Sequence, residues 1–201
     1  MKSNAQALIV ELDAAVSKAS ESWRSELLRR VTDLLIGSLD SYSKDQIAIF
    51  DDILVRLAEN AEPAALVELS TRLAPLAAAP VYVINSLARN ENWTIASPVL
   101  ESSMVLTEKD LIDIAMAKRN NHLVAIAGRE RLSEAITDIL VERGDPEVCV
   151  RLVFNHGARI SEHGFVKLIG QAKIDKTLAA AIATRKDMPP ELAPFLKLTL
   201  A

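Results

Sequence analysis

Leu106-Thr107-Glu108, Leu132-Ser133-Glu134 and Ile160-Ser161-Glu162 spell one pattern three times: an apolar residue, a hydroxyl residue, a glutamate. A Ser or Thr oxygen can accept from the free amides at a helix start, and a Glu beside it suits the positive end of the helix. The apolar residue before the cap can staple back onto the helix. Ala79-Pro80 and Met188-Pro189 fall at the same phase, with proline, a residue suited to the first helical turn, in place of the hydroxyl. Successive starts lie 27 (79 to 106), 26 (106 to 132), 28 (132 to 160) and 28 (160 to 188) residues apart.

Each interval is broken near its middle by a polar stretch. These are Asn90-Glu91-Asn92, Arg119-Asn120-Asn121, Arg143-Gly144-Asp145-Pro146 and Lys173-Ile174-Asp175. Such a break can end one helix and cap the next. Each unit therefore reads as helix, tight turn, helix. Helices of two or three turns are marginal alone, so neighbouring pairs must stack to bury their apolar faces. The expected fold is all-α. Stacked helical hairpins, a HEAT- or armadillo-like α-solenoid of short 26–28 residue period, occupy residues 79–201.

Residues 1–78 lack this period and read as an N-terminal helical bundle or cap on the array. Leu8, Ile9, Leu12 and Val16 predict a helix over residues 4–18. Trp23, Leu27, Leu28, Val31, Leu34 and Leu35 form the apolar face of a second over residues 21–36, stopped by Gly37, with Trp23 looking exposed. Ser43 and Gln46 have the spacing of a capping box, opening a third helix with Ile47, Phe50, Ile53, Leu54 and Leu57 inward. A fourth spans residues 63–73, between Pro63 and Pro75. Strong apolar stripes at this end predict that these helices either cap the array or form a homodimer.

Composition agrees. Half of the 201 residues are hydrophobic, aromatics are 4%, and six Gly and eight Pro suit helices with short links. The 23 Lys and Arg against 27 Asp and Glu give a net charge of −4. That balance argues against general phosphate-backbone binding. One basic group, Lys118, Arg119, Arg129 and Arg131, is interrupted by Glu130 and has no aromatic beside it. No window approaches eighteen uncharged apolar residues, so no membrane span is expected. Glu11 and Asp13 interrupt the first apolar stretch, which does not read as a secretion signal. A lone thiol, Cys149, fits a reducing compartment, and the expected location is cytoplasmic.

Ile47–Asp52, Ala96–Leu100, His122–Ala127, Leu140–Asp145 and Asn155–Ser161 resemble a bacterial family, domain of unknown function 2336. The resemblance covers most of the chain. It implies a helical-repeat fold and no accepted reaction, so it brings no catalytic residues.

Chemistry-bearing residues are sparse. His156 and His163 are seven apart across Gly157 and Ser161, which is not the i, i+4 spacing of a helical metal pair. His122 is expected near the start of a second-layer helix, facing solvent or bonding the preceding turn. Cys149, near a helix start, reads as a core residue. The glycines form no phosphate loop and no nucleophile elbow. No catalytic residue, metal site or cofactor is expected. Arg129, Asn155, Arg159 and Arg185 stand just before unit starts, where stacking would align them on one edge. With His122 they are the candidate binding residues, for an acidic partner. The competing expectation is that they satisfy helix-end carbonyls. The functional expectation is a non-enzymatic module that binds another protein, possible regulation included. The rival is an enzyme or small-ligand receptor with a pocket between the N-terminal helices and the repeats.

Overall fold

A computed structural model describes residues 20–200. The helix expected over residues 4–18 lies outside the described residues. Twelve α-helices are present among those described: α1 (Glu21–Gly37), α2 (Lys44–Ala58), α3 (Pro63–Leu73), α4 (Val81–Ala88), α5 (Trp93–Ser102), α6 (Glu108–Ala117), α7 (Asn120–Ala127), α8 (Glu134–Arg143), α9 (Pro146–Phe154), α10 (Glu162–Ala172), α11 (Lys176–Ala183) and α12 (Ala193–Leu200). Short 3₁₀ turns sit at Leu39–Ser41 and Pro190–Leu192. No strand occurs among the described residues, where one isolated parallel bridge joins Leu132 to Ala158. No helix among them is long and apolar enough to cross a membrane.

The chain forms two compact units. Of the described residues, the first holds those up to Val99 together with Ser103–Leu106. Within it α1 packs on α2 and α3, and α4 packs on α2 and α3. The capping box at the start of α2 forms as its spacing requires: the Ser43 hydroxyl accepts from the Gln46 amide at 3.3 Å, and the Gln46 side chain accepts from the Ser43 amide at 2.8 Å.

Only part of the apolar face of α1 is buried, and two hydroxyl residues join it. Ser25, Leu28, Thr32 and Leu35 are buried, whereas Trp23 and Leu34 are exposed. Buried hydroxyls are tolerated here because each has a partner. Ser25 accepts from the Glu62 amide at 3.1 Å, and Thr32 donates to the Leu28 carbonyl at 2.7 Å. On α2, Leu54 and Leu57 are buried, while Ile47, Phe50 and Ile53 are half-buried. Asp51 joins them in the interior, which the apolar pattern did not foresee.

The second unit holds Leu100–Ser102 and residues from Thr107 onward. Its helices pack in two rows. The first helices of successive pairs, α6, α8, α10 and α12, touch in that order, as do the second helices α7, α9 and α11. Each pair also packs on itself: α6 on α7, α8 on α9, α10 on α11. Leu111, Ile114, Ile126, Leu140, Leu152, Phe165, Leu168 and Ile182 lie buried between the rows.

The helix starts fall where the repeated pattern put them, but the caps differ in detail. Thr107 accepts from the Asp110 amide and receives the Asp110 carboxylate on its own amide, a capping box closed by Asp110 and not by Glu108. Ser161 accepts from the Gly164 amide at 2.9 Å. Ser133 makes no such cap; its hydroxyl donates instead to Glu108 of the preceding pair. Asp145 and Asp175 cap the second helices α9 and α11 from the polar breaks.

Candidate functional site

Helices this short leave a large share of their backbone carbonyls without an intrahelical partner. In the second unit those carbonyls are answered from one pair further along the chain. Arg129 donates to the Leu100 carbonyl at 2.6 Å. The Asn155 amide donates to the Ala127 and Arg129 carbonyls at 2.9 and 2.6 Å, while its oxygen accepts from the Gly157 amide. Arg185 reaches the carbonyls of Val153, Asn155 and Ala158 at 3.2, 2.8 and 2.7 Å. Each donor thus closes the end of the second helix in the preceding pair. These three candidate residues do come together on one edge, which we call the junction edge, but their polar atoms point into the fold.

Arg185 is the most deeply committed. It is only 6% exposed, pairs with both carboxylate oxygens of Asp187, and lies 5.9 Å from the centre of the Phe165 ring. The guanidinium holds the Asp187 carboxyl below the usual carboxylate range. Burial pushes the Arg129 guanidinium downward as well. Arg159 differs: its side chain is exposed and meets Glu134 at 3.2 Å. His122 is 4% exposed in the first turn of α7, so of the two placements the sequence allowed, facing solvent is not the one found. Its neighbours Leu123 and Ala125–Ala127 turn this helix inward as a whole.

A close backbone approach completes the junction edge. Leu132 donates to the Gly157 carbonyl at 3.3 Å and accepts from the Arg159 amide at 3.0 Å. A Cβ on Gly157 would stand 1.8 Å from the Glu130 carbonyl oxygen, so only glycine fits there.

Sequence reasoning missed a second set of donors, on the opposite edge where the hairpins turn. Arg143 donates to the carbonyls of Ala115 and Met116, at the end of α6. Gln171 donates to the Val141 carbonyl, near the end of α8. Both stand eleven residues after their unit starts, Leu132 and Ile160. That shared phase was the available signal. Asp51 was missed too: its carboxylate accepts from the Tyr82 and Val83 amides at 2.7 Å each, capping α4 where Pro80 has no capping oxygen. Burial nonetheless pushes its carboxyl above the usual range.

Cys149 is buried against the core, and burial raises its thiol to about 11. It is no thiolate nucleophile at neutral pH. No group of three or more His, Cys, Asp or Glu among the described residues is arranged to hold a metal ion.

Open surfaces in the second unit include two with apolar linings. On the hairpin-turn edge, Ile174 is 94% exposed beside a cavity of about 380 Å³, lined also by Gly144, Pro146, Gln171 and Leu178. Met116, at the end of α6, is exposed on the same edge. Between α10 and α12 lies a larger groove of about 560 Å³, with Val166, Gly170 and Lys173 on one wall and Phe195 and Leu198 on the other.

A family profile described as uncharacterised protein conserved in bacteria, DUF2336, matches residues 95–196, just over half of the chain. The chain belongs to this family. The DUF2336 match runs from the first turn of α5 into α12, and it takes in every junction-edge donor described above and most of the groove. No curated protein matches the chain, and no solved structure does.

Proposed function

We propose that this DUF2336 protein is a non-enzymatic interaction module of the α-solenoid type, and that its hairpin-turn edge is the surface that meets a protein partner. The observation that carries the reading is Ile174. A large β-branched apolar side chain stands almost wholly in solvent, beside a cavity formed by two consecutive hairpin turns. A turn has no packing need for isoleucine, and a contiguous exposed apolar site marks a binding surface. Met116, at the end of α6, is a further exposed apolar residue on this edge. The two-row packing of helix pairs supports the solenoid reading. The engagement of Arg129, Asn155 and Arg185 with carbonyls argues for placing the contact away from the junction edge.

Affinity capture from bacterial lysate, with the full chain and its Ile174→Glu and Met116→Glu variants side by side, tests this. A protein retained by the full chain and lost from both variants supports the reading. If every retained protein is held equally by all three, the hairpin-turn edge is not the contact surface.

A further inference from the structure

The groove between α10 and α12 has a chemistry of its own, although its one charged residue, Lys173, stands in the same turn as Ile174. Its walls are apolar: Val166, Phe195 and Leu198 are all exposed large hydrophobic residues, and Leu192 also lines it. Gly170 opens the space. A Cβ built there meets nothing within 4 Å, so the absent side chain is not required by backbone packing. A glycine inside a helix costs stability relative to alanine, and here the fold gains only room.

The lining holds one charged group, Lys173, directly after the end of α10. A cation there suits the helix dipole, yet its ammonium makes no hydrogen bond or ion pair with any described residue. The Thr199 hydroxyl on the facing wall is already donated, to the Leu196 carbonyl at 2.7 Å. The groove therefore offers an apolar trough with one unpaired positive charge, and its size falls within the range of small-molecule sites, roughly 300–1,000 Å³.

We propose that this groove binds a linear amphiphile with a carboxylate head, a fatty acid or similar acyl acid. The chain lies over Gly170 between Val166 and the Phe195 and Leu198 side chains. The carboxylate pairs with Lys173. An apolar body with a single anionic end complements a trough with one cation at its exposed rim; a neutral hydrocarbon would gain nothing from the solvated ammonium, and a cationic amphiphile would be repelled by it.

Isothermal titration of the full chain with decanoate, below its micelle concentration, tests the assignment, with decyltrimethylammonium as the charge-inverted probe. Saturable binding of one decanoate is expected, together with much weaker binding of the cation. Gly170→Trp fills the trough from a position with open space and abolishes decanoate binding, while its thermal unfolding stays near that of the parent. Lys173→Gln leaves the trough intact and weakens decanoate about fivefold, the scale of an exposed ion pair. It also removes the preference for the anion. Absence of saturable binding, survival of binding in Gly170→Trp, or equal affinity for the two probes overturns the assignment. So does a captured protein that Gly170→Trp releases while decanoate fails to bind, since the groove then belongs to that protein.

Discussion

The two edges of the second unit are built from similar residues and used differently. At the junction edge, Arg129, Asn155 and Arg185 turn inward and complete the ends of the second helices. At the hairpin-turn edge, Arg143 and Gln171 do the same for the first helices, but Ile174 and Met116 are left in solvent beside them. A side chain that answers carbonyls one pair away is a structural tie, whatever its charge suggests. An apolar side chain that answers nothing is free to meet a partner. The difference teaches that in short stacked helices a buried polar donor near a junction completes a helix end, whereas the exposed apolar residues beside it are not needed for that task.

Removing the deepest tie breaks the comparison most severely. Arg185→Ala leaves three carbonyls without this donor and removes the ion pair to the half-exposed Asp187, and we expect a loss of about 2–4 kcal/mol in denaturant unfolding, mostly from the buried acceptors left unsatisfied. Arg185→Lys recovers only part of it, because a point charge cannot span the three carbonyls that the planar fork reaches. A loss within a few tenths of a kcal/mol would show that the junction edge is not a structural seam. Gly157→Ala comes next. Its Cβ would drive the Glu130 carbonyl away from the bridge at Leu132, for an expected loss of about 1–3 kcal/mol.

A pH titration of stability sharpens the same contrast from beneath the hairpin-turn edge, where α9 begins. The Cys149 thiol is raised to about 11 in the folded chain, against about 8.5 for a thiol in the open. The folded chain therefore holds this proton more tightly than the unfolded one. Its contribution is fully present below about pH 8.5 and is lost as pH rises through about 11. Chemical unfolding followed between these limits should show a downward slope that Cys149→Val flattens; identical slopes in the two chains would refute it. The smallest effects belong to the exposed residues. Arg159→Ala and Ile174→Glu should each change stability by no more than about 0.5 kcal/mol, measured as a midpoint shift at constant slope. A large loss in Ile174→Glu would mean that this residue packs in the fold and does not await a partner.

What the sequence determined by itself is local. A cap acts over two or three residues, so Ser43, Thr107, Asp145, Ser161 and Asp175 announced their helices, and the 26–28 residue spacing announced the order of the pairs. Burial of Cys149 was equally legible, as a small apolar group within an apolar helix. What only the tertiary structure decided is which distant group each of the others meets. Ser133 carries the same cap signature as Thr107 and Ser161, yet it makes no cap bond, and its hydroxyl donates to Glu108, which stacking places beside it. Arg159 and Arg185 look alike before their unit starts; one meets solvent and Glu134, the other three carbonyls and Asp187. Asp51 caps a helix 31 residues further on. The physical reason is range. Hydrogen bonds within a turn follow from spacing along the chain, whereas a carbonyl at the end of a neighbouring helix is placed by packing, which no local pattern records.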